Sequence, residues 1–118
     1  MAYDLQLAAR TRDHLSQFSG LQIEEKKMFR GLAFMINGKL CVCVSDNNLM
    51  CRFDPAEQEM VAEKIGVEPM IMRGKHLQGY CYVTPTGLGS KKELAYWIGL
   101  CLAFNEKAKA SKKREKMR

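Results

Sequence analysis

The two-residue step Asn37-Gly38 is the feature that most constrains how this chain can fold. The apolar run LAFMI at 32–36 precedes it, and KLCVCVS at 39–45 follows. A two-residue type I′ turn needs positive φ at both central positions, and Asn and Gly adopt that conformation most readily. The step therefore predicts a β-hairpin formed by these two runs.

The returning strand of this hairpin is apolar at almost every position. Side chains at i and i+2 of a strand share a face, so we expect Cys41 and Cys43 on one side. Leu40, Val42 and Val44 would then lie on the other. Two apolar faces are typical of a central strand in a sheet that is covered on both sides.

The pair Cys41 and Cys43 also raises the question of metal or redox chemistry. Their Cα atoms would be about 7 Å apart in a strand, at the limit for a disulfide. A structural zinc site needs two further ligands, and neither His14 nor His76 stands at a recognisable ligand spacing. The 5 cysteines all lie in apolar stretches. We expect buried free thiols in a reducing cytoplasm, with metal or redox chemistry as the alternative.

Caps and turns define the remaining elements. Asp54 before Pro55 is typical of a helix start, and Ser90 with Glu93 forms a capping box for a last helix. In chain order we predict a helix at 4–18, strands at 22–29, 32–36, 39–45 and 48–53, a helix at 54–66, strands at 69–74 and 79–84, and a helix from 90 onward. This order, α-β-β-β-β-α-β-β-α, indicates a two-layer α+β fold with a mainly antiparallel sheet of five to six strands.

Length and charge indicate one domain followed by a basic tail. A chain of 118 residues suits a single domain, which we assign to 1–106. Residues 1–104 carry 12 Lys or Arg against 11 acids, whereas 105–118 carry 7 against 2. The N-terminus lacks the layout of a secretory signal, and the longest uncharged apolar run, at 97–104, is too short to cross a membrane.

Two groups of cations are candidates for binding anions. The tail at 107–118 is the candidate for non-specific nucleic-acid binding, the alternative being a solubilising extension. Its cations are Lys107, Lys109, Lys112, Lys113, Arg114, Lys116 and Arg118. A weaker anion-binding candidate requires two loops to meet in space, the alternative being a charged, solvated strand edge. It comprises Lys26, Lys27, Arg30, Arg73 and Lys75.

The last helix is apolar over more than one face. Tyr96, Leu100 and Phe104 widen its apolar surface beyond a simple stripe. A two-layer monomer covers only one face of its sheet, so either the second sheet face or this helix is available to another copy. We expect a homodimer, with these three residues as the candidate interface. A deeper monomeric core is the alternative.

Five stretches together resemble a known family. They are MAYDLQLAARTRDHL, KKMFRGLAFMINGKLCVCV, DNNLMCRF, PMIMRGKHLQGYCYV and LAYWIGLCLAF. Residues 1–106 resemble the N-terminal domain of the bacterial TfoX/Sxy competence regulators, most specifically in K-K-M-F-x-G-L-x-F-M-x-N-G-K at 26–39. The resemblance implies a small α+β fold with an antiparallel sheet packed by helices. Arg30 stands where the family often has a second glycine.

The sequence contains no pattern typical of catalysis. It lacks a nucleophile elbow, a His-plus-acid motif and a dinucleotide-binding fingerprint. We therefore expect a non-enzymatic interaction module that acts in transcriptional regulation. We expect it to need no cofactor and no metal. Protein partners in regulation are expected. The alternatives are a nucleic-acid-associated protein and a thiol-dependent enzyme.

Overall fold

The computed structural model describes residues 3–28 and 31–107. Its elements follow the predicted order, and the α+β fold class is confirmed. The helices are α1 (Leu5–Leu15), α2 (Gln58–Ala62) and α3 (Lys91–Asn105). The strands are β1 (Ile23–Met28), β2 (Gly31–Ile36), β3 (Lys39–Ser45), β4 (Asn48–Arg52), β5 (Val67–Met72) and β6 (Lys75–Val83).

The six strands form one antiparallel sheet in the order β1-β2-β3-β4-β6-β5. The first four are a meander of successive hairpins. The predicted turn is present at Asn37 and Gly38, whose φ angles of 53° and 82° are both positive. Because β6 inserts beside β4, β1 and β5 form the two edges of the sheet.

All three helices contribute to a core on one side of the sheet. α1 provides Leu7 and Leu15, α2 provides Val61, and α3 provides Trp97 and Ile98. These side chains pack against strand residues that point to the same side. The strand residues include Leu32, Phe34, Ile36, Val42, Val44, Leu49, Cys51, Cys81 and Val83.

The first helix is shorter than predicted at its C-terminal end. It begins after Asp4, whose carboxylate accepts a hydrogen bond from the backbone N–H of Gln6 at 2.8 Å. It ends at Leu15 instead of Phe18. Phe18 is 42% exposed and contacts the ring of His14 edge-on, with centroids 5.5 Å apart. Phe18, the last residue of the predicted helix, therefore lies beyond the end of α1 and outside the core.

The second helical segment begins as predicted and ends early. The carboxylate of Asp54 accepts a hydrogen bond from the N–H of Ala56 at 3.0 Å, and Pro55 opens a 3-10 turn. The α-helical part has only 5 residues. Ile65, within the predicted helix at 54–66, lies beyond the observed one and is 75% exposed.

Gly31 is required where β2 passes β3. A Cβ at this position would overlap the carbonyl oxygen of Val44 on the neighbouring strand. Backbone atoms at this distance cannot move apart without breaking the β2–β3 pairing. Gly31 thus allows the close approach of β2 and β3.

Candidate functional site

The sheet has an apolar face on the side away from the helices, which we call the open face. Four of its side chains are buried: Ala33, Cys43, Met50 and Met70. Half-buried apolar side chains surround them, namely Met28, Met35, Leu40, Leu77, Tyr80 and Tyr82. Every member of this cluster comes from a strand, so no helix in the described ranges contributes to it.

A β-bulge at Cys41 determines which side chains of β3 reach the open face. The β2–β3 register shifts between Phe34 and Met35, and this leaves Cys41 as an extra residue on β3. Cys41 packs in the helix-side core, whereas Cys43 packs in the open face. The prediction that the two thiols share a face is therefore wrong, because an inserted residue reverses the alternation beyond it.

The other face assignments on β3 change for the same reason. Leu40 lies with Cys43 on the open face, and Val42 and Val44 lie with Cys41 toward the helices. The more general prediction is confirmed. β3 is an interior strand with an apolar side chain cluster on each of its faces.

A second irregularity, at Gly79, positions the tyrosines of β6. Gly79 has φ 84°, a region that L side chains rarely adopt. Its N–H donates to Oε1 of Gln58 at 2.8 Å, and its carbonyl accepts from the N–H of Phe53 at 2.8 Å. β6 resumes regular pairing at Tyr80 and Tyr82, which face the open side. An isolated glycine within a strand pattern was the signal for this bulge, and the sequence reading missed it by starting the strand there.

One cross-strand row runs over the whole open face. Its members are in direct register from β1 to β5: Lys26, Ala33, Cys43, Met50, Tyr82 and Glu68. Ala33, Cys43 and Met50 in the middle are at most 1% exposed. Lys26 and Glu68 at the ends are exposed. The row thus has an apolar centre, with a cation at its β1 end and an anion at its β5 end. Glu24, in register with Met35, lies beside Lys26 on the same face.

Four thiols lie together in the helix-side core. They are Cys41, Cys51, Cys81 and Cys101, all free and buried. The thiol of Cys51 donates to the carbonyl of Leu49 at 3.8 Å, and Cys81 and Cys101 are its thiol neighbours. Burial, and then these thiol contacts, raise the pKa of Cys51 well above its ordinary value. The predicted buried free thiols are confirmed.

Cys43 is separate from this group and is also protected. Burial raises its pKa to about 11, so it is a thiol and not a thiolate near neutral pH. Burial likewise raises the pKa of Cys41. Among the residues that the structure describes, no group of three His, Cys, Asp or Glu side chains is arranged to hold a metal ion.

The weaker anion-binding candidates lie on opposite edges of the sheet. Lys26 and Lys27 are on β1, whereas Arg73 and Lys75 are at the β5–β6 hairpin. Four strands separate β1 from β5 in the sheet, so the structure does not bring the two pairs together. Arg30 lies outside the described residues. Lys26 points to the open face, and Lys27, in register with Leu32, points to the helix side.

Only the first cation of the basic tail is within the described part of the chain. Nζ of Lys107 lies 3.3 Å from Oδ2 of Asp54, the residue that caps the second helical segment. The backbone N–H of Ala56, and then Lys107, hold the pKa of Asp54 below its ordinary value. The tail cations beyond the described residues are Lys109, Lys112, Lys113, Arg114, Lys116 and Arg118.

The candidate dimer residues on α3 have contacts within the chain. The ring of Tyr96 lies 4.9 Å from Nζ of Lys64, and its hydroxyl is 3.8 Å from the sulfur of Met60. Leu100 packs against the helix-side core. The ring of Phe104 lies 5.6 Å from the guanidinium of Arg52. Tyr96 is nevertheless 40% exposed, and Leu100 and Phe104 are half-buried, so the predicted α3 interface stays a prediction.

These features define a class: a two-layer α+β module with helices on one sheet face and an apolar open face on the other. The family model described as the TfoX N-terminal domain matches residues 13–105. The chain belongs to this family, and the resemblance seen in its sequence is confirmed. No curated protein and no solved structure matches the chain. Across the described ranges, each helix is too short or too polar to span a membrane.

Proposed function

We propose that the protein is a non-enzymatic regulatory module that binds a protein partner through its open face. The observation that carries this proposal is the composition of that face. Among the described residues, ten apolar side chains form it, all from strands, and the helices pack on the other side. A contiguous apolar patch with a polar rim is typical of an interaction surface, because water contact with such a patch is unfavourable.

The thiols support the non-enzymatic part of the proposal. A nucleophilic cysteine needs a lowered pKa and access to substrate. Cys41, Cys43 and Cys51 have the opposite properties, since each is buried and burial raises each pKa. Free buried thiols also persist best in a reducing compartment, so we propose a cytoplasmic location.

Family membership supports the regulatory part. The chain belongs to the TfoX N-terminal domain family, and its likeness to competence regulators points to a role connected with transcription. In such a role the module contributes a binding surface.

Site-specific photo-crosslinking in living cells tests the use of the open face. A benzoylphenylalanine in place of Tyr82 lies on the open face, and one in place of Tyr96 lies on the helix side. We expect a discrete protein adduct from position 82 and none from position 96. No protein adduct from position 82, or equal adducts from both positions, would overturn the proposal.

Charge at the end of the chain favours a second candidate function, non-specific nucleic-acid binding. Residues 105–118 carry 7 cations against 2 acids, and clustered cations gain counterion-release free energy on nucleic acid. Deletion of 108–118 leaves the contact between Lys107 and Asp54 in place. Under this alternative, the deletion lowers affinity for duplex DNA at low salt and flattens its salt dependence. Equal DNA affinity of the full chain and the deletion variant in fluorescence anisotropy would exclude the tail as the nucleic-acid-binding segment.

A further inference from the structure

We propose that the partner on the open face is a second copy of this chain. The two sheets pack face to face about a two-fold axis parallel to the strands, and Lys26 of each copy faces Glu68 of the other. This inference rests on the proposed use of the open face. It adds the identity of the partner and the orientation of the complex.

The cross-strand row selects the orientation. A two-fold axis along the strands reverses the strand order, so β1 of one copy lies over β5 of the other. Lys26, on β1, then faces Glu68, on β5. An axis along the row would instead place Lys26 over Lys26 and Glu68 over Glu68. Opposite charges attract and like charges repel, so charge complementarity favours the first arrangement.

The interior of the row is suited to this packing. Ala33, Cys43 and Met50 are closed off by the half-buried side chains beside them. Met35 and Tyr82 are among these neighbours, and they remain available to a partner. Thioether and aromatic side chains adapt to a facing surface and bury a large area. Aligned packing of two sheets joins such faces about 10 Å apart.

The size of the face matches what a stable dimer requires. Six strands about 4.8 Å apart and about 20 Å long cover roughly 580 Å² in plan. A standard interface buries roughly 800 Å² on each partner, so the plan area of the face is of the same order. Association through this face therefore needs no additional element.

The edges of the sheet are poorly suited to association by strand addition. β1 carries four successive charged residues at 24–27, all exposed, which oppose edge-to-edge pairing. The other edge strand, β5, contains Pro69, which has no N–H to donate. The open face is thus the part of the sheet that remains for a second copy.

Charge reversal combined with sedimentation velocity tests the proposal on the purified full chain. We expect a dimer at tens of micromolar. Lys26→Glu and Glu68→Lys should each raise the dimer Kd about tenfold at low salt, because both charge pairs become repulsive. The double variant K26E/E68K should restore the original Kd within about threefold. The variants alter exposed residues, and circular dichroism checks that they fold.

A neighbouring residue provides the matched control. Lys27 is on the same strand and is also exposed, but it points to the helix side. Lys27→Glu should leave the Kd unchanged. A monomer at all concentrations up to about 100 µM, or single reversals that leave the Kd unchanged, would overturn the proposal. A monomer together with a cross-linked adduct to a different protein would overturn the identity of the partner as a second copy. The proposed function would then still hold.

Discussion

Lys26 and Glu68 occupy the two ends of a single row of side chains that crosses all six strands of the sheet. They are 42 positions apart in the chain, and nothing in this spacing indicates that the two charges are related. The row joins them through an apolar centre. The opposite charges at the two ends of the row favour some dimer orientations over others.

Alanine substitution at two glycines, one between β2 and β3 and one in α3, should have opposite effects on stability. Gly31→Ala places a Cβ against the Val44 carbonyl, so we expect a loss of about 2 kcal/mol or more in the free energy of unfolding. Gly99→Ala, in α3, meets no atom within 4 Å and should stabilise the protein by about 0.5–1 kcal/mol. Urea denaturation measures both. A harmless Gly31→Ala would show that the strands have room to separate.

The ion pair between Arg12 and Glu25 predicts a pH-dependent contribution to stability. Nε of Arg12 lies 2.6 Å from Oε2 of Glu25, and this hydrogen bond lowers the pKa of Glu25 from its ordinary value of 4.5. A lowered folded-state pKa adds stability above the unfolded-state value, and that stability is lost as the pH falls through the folded-state pKa. The pair is partly exposed, so it contributes less than about 1 kcal/mol.

Urea titrations of the wild type and Glu25→Gln at several pH values check this contribution. The difference in the free energy of unfolding should be present at pH 7 and should vanish in acid. Glu24→Gln, at the adjacent position on β1, is the control and should change stability by less than about 0.5 kcal/mol. A difference that grows in acid would contradict the assigned role of Arg12.

Buried thiols predict slow alkylation of the native protein. Cys43, with a pKa of about 11, is thiolate in about one molecule in a thousand at pH 8. Cys51 is fully buried, and burial raises its pKa well above its ordinary value. Mass spectrometry after mild iodoacetamide treatment should find the native chain unmodified and the urea-unfolded chain modified at all 5 cysteines. One rapidly modified cysteine in the native protein would revive the thiol-enzyme alternative.

The hydrogen bond from Gly79 to Gln58 predicts a measurable loss when the amide is removed. In Gln58→Ala the N–H of Gly79, which is buried, loses its acceptor, and we expect a cost of about 1–2 kcal/mol. Gln78→Ala changes an exposed amide next to the same glycine and should have little effect. Thermal denaturation compares the two. Equal melting temperatures would mean that water replaces the lost acceptor.

Local patterns were enough to predict most of the secondary structure. Asn37-Gly38 predicted the hairpin because its φ requirement is met by those two residues alone. The capping box predicted the start of α3, where the Ser90 hydroxyl accepts from the N–H of Glu93 at 3.0 Å. The helix predicted at 54–66 was too long, because α2 ends after one turn and the end of a short helix depends on packing that its own pattern does not contain.

The candidate site was predictable only in part. The composition of β3 indicated that both of its faces are apolar. The stretch at 26–39 indicated the family. The sequence did not show which side chains lie on which face, because the bulge at Cys41 reverses the alternation on which the assignment of Cys43 depended. Tyr96 on α3, a predicted interface residue, is 40% exposed, and its ring also contacts Lys64.

The sequence by itself determined the order of elements, the hairpin, the helix caps, the free thiols and the family, because each depends on residues close together in the chain. Only the tertiary structure decided that β6 lies between β4 and β5, which places Lys26 and Glu68 on opposite edges. It also decided which face the helices cover and which stays open. These relationships arise from contacts between distant segments, and local periodicity carries no information about them.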